Sequence, residues 1–207
     1  MAMAAVDFAA PASEAQLEAL AEKLRARNFE AVIVQDGAEA KAEVLKRIPA
    51  GAQVHSGKSK TLQDTGIWDV INNPDEYNAV RPRYLSMDRQ TRAREIRKLI
   101  SSPDFMLGSV QAITEDGVLV TASATSSQLG PYAVGAGKLI LVVGSQKIVP
   151  DLDTALRRIR EYVLPWEDAQ VRKMLPIGSF VGKILIIERE WVPGRLTVVL
   201  VREPVGI

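Results

Sequence analysis

Residues 55–62 read His-Ser-Gly-Lys-Ser-Lys-Thr-Leu and place a glycine, two lysines and three hydroxyls behind a short apolar run. That mixture suits anion binding. Glycine lets a ligand approach the backbone, hydroxyls donate hydrogen bonds, and lysine supplies charge. The nucleotide-binding loop G-x-x-x-x-G-K-[ST] does not fit, because five residues separate Gly51 from Gly57 and they include the strand-like Gln53-Val54-His55. Two readings stay open. Ser56, Gly57, Ser59 and Thr61 form an anion-binding turn, or Ser59 merely caps a short helix. His55, the one histidine, is a candidate general base, or a packed strand-end residue.

Other groups could join this chemistry. Glu115 precedes an Asp-Gly turn and is the candidate for proton transfer, against a plain solvated glutamate. Thr121, Ser123 and Thr125 alternate with alanines, so their hydroxyls share one face of an extended segment and line either a polar pocket or a wet sheet face. Gly144 and Lys147 follow the most apolar run, Lys138–Gly144, and so stand at a second strand end. Residues 81–98 hold Arg81, Arg83, Arg89, Arg92, Arg94, Arg97 and Lys98 against Asp88 and Glu95, and read as a solvated basic face or a dock for an acidic partner.

Composition narrows the classes. The 207 residues are 47% hydrophobic and 25% charged, with a net charge of +1, as in an ordinary globular domain and unlike the usual nucleic-acid binder. With no cysteine and one histidine, this chain cannot itself ligate an iron–sulfur cluster through thiolates or build a histidine-rich metal centre. No cofactor motif is present: the Gly135-Ala-Gly stretch precedes a strand and lacks the third glycine of a dinucleotide fingerprint. The start lacks a basic segment followed by a long apolar run, and no run is long enough to span a bilayer. A cytoplasmic protein with no membrane partner is expected.

The elements that must position these groups are read from periodicity. Residues 1–12 read as a loose tail, and 13–207 as one domain. Ser13 and Gln16 form a capping box ahead of Leu17, Leu20, Ala21 and Leu24, the spacing of one buried helical face. Strands are predicted at 31–34 and 52–55, and helices at 38–48 and 59–66. That order argues for a parallel sheet covered by helices. Residues 72–86 read as a loop or broken helix, and 88–100 as a helix with Ala93, Ile96, Leu99 and Ile100 inward. Asp116-Gly117 marks a hairpin. Asp151 caps a helix with Leu152, Ala155, Leu156, Ile159 and Val163 on one face. Two final strands, in 183–190 and 194–203, are expected to be neighbours.

Four stretches resemble the LUD domain, the lactate utilization protein family: Gly57–Ile67, Leu107–Leu129, Ile140–Ile159 and Gly194–Gly206. The resemblance runs from about residue 14 to the end. It implies a NagB/RpiA/CoA-transferase-like fold, a Rossmann-like three-layer α/β sandwich with a mostly parallel sheet, helices on both faces and an additional strand pair. It also implies a ligand cleft at the carboxyl edge of the sheet. Gly57, Ser59 and Thr61 match the family's first turn, Glu115 and Gly117 its hairpin, and Gly144 and Lys147 its second turn. Lys58 departs from the pattern, where a second glycine is usual. The resulting expectation is an enzyme or enzyme subunit acting on a small anionic metabolite in organic-acid utilization, lactate included. The alternative is a non-catalytic metabolite-binding or assembly subunit. Any iron–sulfur centre would belong to a partner subunit, and a homo-oligomer is compatible with the sequence.

Overall fold

The computed structural model describes residues 6–207. Its centre is a sheet of six parallel strands in the order β1-β10-β7-β4-β2-β3. These are β1 (Glu30–Val34), β2 (Gln53–Ser56), β3 (Asn78–Ala79), β4 (Phe105–Gly108), β7 (Lys138–Gly144) and β10 (Leu196–Val201). A second sheet, ordered β8-β5-β6-β9, comprises β5 (Ala112–Thr114), β6 (Leu119–Ser123), β8 (Ile148–Val149) and β9 (Lys183–Ile187).

Side-chain alternation builds the layers. Leu139, Leu141 and Val143 of β7 point to one face, with Leu17, Leu20 and Leu24 of α1 (Glu14–Ala26) and Ile113 and Leu119 of the second sheet. Ile140 and Val142 point to the other, against α2 (Gly37–Leu45), α3 (Lys60–Asp64) and α4 (Ile67–Ile71). A strand buried on both faces must be apolar throughout, which explains the run Leu-Ile-Leu-Val-Val. A third cluster packs α7 (Leu152–Arg157) on the outer face of the second sheet through Val118, Val120, Val149 and Ala155. The fold is thus the expected α/β sandwich with a mostly parallel sheet.

The local signals at helix starts and at the hairpin hold. Ser13 and Gln16 form the capping box, Asp151 caps α7 through the Thr154 amide, and Gly117 turns the β5–β6 hairpin at φ +85°.

Four expectations differ from the observed structure. The last two strands are not neighbours. β9 pairs with β6, whereas β10 inserts between β1 and β7 of the main sheet. Its six residues are all buried, so they satisfy a two-faced central position; β9 is only half-buried and suits an edge. The segment before α1 is not loose over its described part, since Phe8 is 8% exposed within the third cluster. The helix expected at 88–100 is α6 (Ala93–Ser101), and none of its residues is buried. Residues 72–86 resolve into β3 and α5 (Val80–Leu85), with Pro74 ahead of the strand and Pro82 in the first turn of that short helix.

The helix after Asp151 also runs further than its apolar pattern. It continues through a π-helical stretch, Arg158–Val163, into α8 (Leu164–Arg172). The wider turn precedes Pro165, which cannot donate an amide hydrogen bond and is therefore tolerated there.

Candidate functional site

Because β2, β4, β7 and β10 are parallel, their carboxyl ends emerge at one sheet edge. The segments leaving these four strands meet there. Gly57–Thr61 leave β2, Ser109 leaves β4, Lys147 leaves β7 and Ile207 lies beyond β10. Together with Val163, Trp166 and Glu167 from the long helix, these line a cleft of about 90 Å³. That is room for several waters or a small ligand.

Lys147 is the most buried of the lysines that line this cleft. After Gly144 the chain makes one 3-10 turn, Ser145–Lys147, and crosses into β8 of the other sheet. Lys147 therefore sits at the joint between the sheets and is only 3% exposed. Its Nζ donates to Thr61 Oγ1 at 2.7 Å and to Ser109 Oγ at 3.0 Å. Thr61 in turn donates to Ser109 at 3.3 Å, and Ser109 to the Val110 carbonyl at 3.3 Å. No carboxylate forms an ion pair with Lys147 among the described residues. Burial pushes its pKa down to about 7, and the Arg158 charge pushes the same way, with Asp64 in partial opposition.

The surroundings are latched in place. Tyr132 Oη accepts from the Ser109 amide and donates to the Ser109 carbonyl, both at 3.2 Å. Its burial raises its pKa above the usual phenol range. Gly108 makes this contact sterically feasible, since a Cβ there would lie 1.6 Å from Tyr132 Oη. Gln146 Nε2 donates to the Val205 carbonyl at 3.0 Å, and the Gly206 amide donates to Asp64 at 3.2 Å. The 205–207 segment is thereby strapped over Thr61 and Lys147. A Cβ on Gly206, which sits at φ +78°, would lie 2.1 Å from Thr61 Oγ1.

Arg158, at the start of the π-helical stretch, is fully buried. It donates to the Gln111 carbonyl at 2.5 Å and the Phe8 carbonyl at 3.2 Å, and lies 5.2 Å from the Tyr162 ring centroid. Burial pushes its pKa down to about 10. Two buried cations near one another, bonded to neutral oxygens, leave the site in want of negative charge.

The candidate residues divide by position. Gly57, Ser59, Thr61 and Lys147 line the cleft, as do Lys58 and Lys60. Ser59 also caps α3, accepting from the Leu62 amide at 3.3 Å. Gly57 does not adopt a positive φ, and a Cβ there would only touch Gln128 at 3.4 Å. Ser56 is buried at the end of β2, its hydroxyl without a protein partner. Gly144 lies beneath the strap, where a Cβ would meet the Val205 amide nitrogen at 2.5 Å. Ser123 reaches the site indirectly, donating to Gln128 at 3.1 Å. Thr121 is buried in β6 opposite Leu185 and does not line the cleft.

Neither of the two candidates for proton transfer lines the cleft. His55 is 1% exposed, edge-on to Tyr84, with both ring nitrogens lacking a protein partner. Burial, aided by the Arg81 charge, lowers its pKa to about 4. Glu115 is exposed and accepts from Gln16 at 3.2 Å. The acidic side chain that does line the cleft is Glu167. Ser109, Tyr132, Arg158 and Glu167 do not emerge from the sequence pattern. One signal was available for Ser109: Gly108-Ser109 repeats the Gly144-Ser145 pattern at another strand end. Glu167 has no such signal, because only the length of the helix brings it to the cleft.

Comparison with one solved structure agrees with this architecture. A DUF162 family protein from Deinococcus radiodurans superposes with a TM-score of 0.56 at 14% identity, covering 92% of this chain and 99% of its own. At that identity the likeness concerns the fold alone. A ribose 5-phosphate isomerase from Plasmodium falciparum gives a TM-score of 0.34 at 12% identity, over 65% of this chain and 66% of its own. No curated protein matches the sequence. The sequence model of the LUD domain matches residues 17–201, nearly the whole of the sheet and its cleft, and the chain therefore belongs to the LUD-domain family.

Proposed function

We propose that the cleft binds a small anionic metabolite, and that the chain is an enzyme or enzyme subunit of organic-acid utilization, with lactate among the candidate acids. One observation carries the reading. Lys147 is buried at the cleft floor with two hydroxyls for partners and no carboxylate. A buried ammonium without a counter-ion is costly, and an anionic ligand supplies the missing charge. The Gly57–Ser59 turn and the lysines Lys58 and Lys60 add donors to the lining, and Trp166 and Val163 add apolar surface. An iron–sulfur partner subunit, if the reaction is a redox one, would supply the electron acceptor that this cysteine-free chain lacks.

The proton linkage has a definite sign. Lys147 is partly deprotonated just above neutral pH, and an anion beside it favours the charged form. Binding therefore takes up a proton, and affinity falls as pH rises above about 7. Isothermal titration of oxalate, lactate and phosphate, in buffers of different ionisation enthalpy at pH 8, tests this. Net proton uptake is expected, and it should vanish in Lys147→Met. Binding that is indifferent to both pH and Lys147→Met would refute the reading.

A non-catalytic metabolite-binding subunit is the second reading. It is favoured by the position of His55 and Glu115 outside the cleft lining. Glu167 separates the two readings. In an enzyme, Glu167→Gln should keep or tighten anion binding and abolish turnover; in a binding subunit the wild-type protein should leave the anion chemically unchanged, and the variant should alter affinity alone.

A further inference from the structure

The hydrogen bonds around Lys147 say more than that an anion fits. Nζ has two acceptors, Thr61 Oγ1 and Ser109 Oγ. Both hydroxyls place their own protons elsewhere, Thr61 on Ser109 and Ser109 on the Val110 carbonyl. A neutral amine has two N–H bonds and one lone pair; an ammonium has three N–H bonds. Two hydroxyl acceptors are enough for the two N–H bonds of the neutral amine, the form that predominates above pH 7, while the ammonium is the form an anion stabilises. With both N–H bonds engaged on the hydroxyls, the lone pair is the remaining direction. The Nζ belongs to a residue that lines the cleft.

We infer that Lys147 is a nucleophilic amine that forms an imine with a small carbonyl-bearing anion, a 2-oxo acid or an aldehyde acid. This rests on the anion reading above and narrows the ligand class. The carboxylate would lie against the Gly57–Ser59 turn and its lysines, and the carbonyl carbon against Nζ. The Lys147 lone pair forms a C–N bond while the C=O π-electrons move to oxygen, giving a carbinolamine. One proton passes from nitrogen to that oxygen to complete the carbinolamine, and loss of the hydroxyl with the remaining N–H proton as water then yields the C=N bond, so no oxidant or reductant is needed. Glu167, the acidic side chain lining the cleft, can carry a proton from nitrogen to the departing hydroxyl. Burial and the nearby Arg158 charge keep the amine unprotonated at a pH where exposed lysines are charged. The cleft volume accommodates a small acid of this kind.

Glyoxylate with cyanoborohydride at pH 8 is the direct test, because reduction fixes an imine as a stable secondary amine. Peptide mass mapping then locates the label on the wild-type protein. Lys147 should be labelled about tenfold or more faster than Lys58 and Lys60, since burial lowers its pKa to about 7 and leaves most of it neutral at pH 8. Oxalate, an anion with no electrophilic carbonyl of this kind, should protect it. Glu167→Gln should slow labelling while oxalate still binds, at wild-type affinity or tighter, because a negative charge has left the anion's cleft. If oxalate binds by titration but Lys147 carries no label above Lys58 and Lys60, the imine assignment is overturned while the anion reading stands. If oxalate does not bind and Lys147 is not labelled, both fall.

Discussion

His55 offers a quantitative test of the buried architecture, because it is the one histidine in the chain. It is 1% exposed, and neither ring nitrogen has a protein partner. Its pKa is lowered from 6.5 to about 4, chiefly by burial and secondarily by Arg81. The sign is that of a buried base kept neutral. Below pH 6.5 the unfolded chain takes up a proton that the folded chain refuses, so stability is present above that pH and is lost as pH falls toward 4. The full shift corresponds to about 3 kcal/mol, and at pH 5 roughly 2 kcal/mol should already be gone. Carboxylates also titrate in this range, so a variant must isolate the histidine. His55→Phe keeps an aromatic ring beside Tyr84 and removes the two unpartnered nitrogens. Urea unfolding of both proteins at pH 7 and pH 5 gives the comparison. The variant should lose less stability than wild type on acidification, by about 2 kcal/mol. The proton resonances of the single imidazole, followed from pH 8 to the edge of unfolding, should show no titration near 6.5. Parallel pH dependences in the two proteins, or an imidazole titrating near 6.5, would refute the buried-neutral assignment.

Three further outcomes are expected. Gly108→Ala places a Cβ 1.6 Å from Tyr132 Oη, so the tyrosine must leave its hydrogen bonds to Ser109; a loss on the order of 3 kcal/mol in a melting or urea experiment is expected, and a neutral result would contradict the packing. Gly57→Ala and Gly206→Ala should separate clearly in oxalate affinity and in stability. The first adds only an ordinary contact to Gln128, whereas the second combines a positive φ with a 2.1 Å clash against Thr61 and should cost on the order of 2 kcal/mol. Arg158→Met removes a fully buried cation that holds the Phe8 and Gln111 carbonyls; it should raise the Lys147 pKa, read as slower reductive labelling at pH 8, even if stability is little changed.

Local signals were legible in the residues themselves. Ser13 and Gln16 cap α1 because a hydroxyl and a carboxamide three positions apart can only reach each other's amides at a helix start. The Asp116-Gly117 turn arises from the left-handed φ that glycine allows. Gly57, Ser59, Thr61 and Lys147 were placed at strand ends by periodicity alone, and a parallel sheet puts all such ends at one edge. What only the tertiary structure decided is which strand lies beside which, and what each side chain meets. β10 belongs in the middle of the main sheet because all six of its residues require burial on two faces, yet the sequence allows many neighbours for such a strand. Long-range pairing carries no local periodicity. For the same reason the partners of Lys147, namely Ser109 and Thr61, lie 38 and 86 residues away, and no spacing rule links them. Burial likewise separates His55, sealed and neutral, from Lys147, buried but lining the cleft. Both stand at or just beyond strand ends in the sequence; the layers packed above them decide which one a ligand can reach.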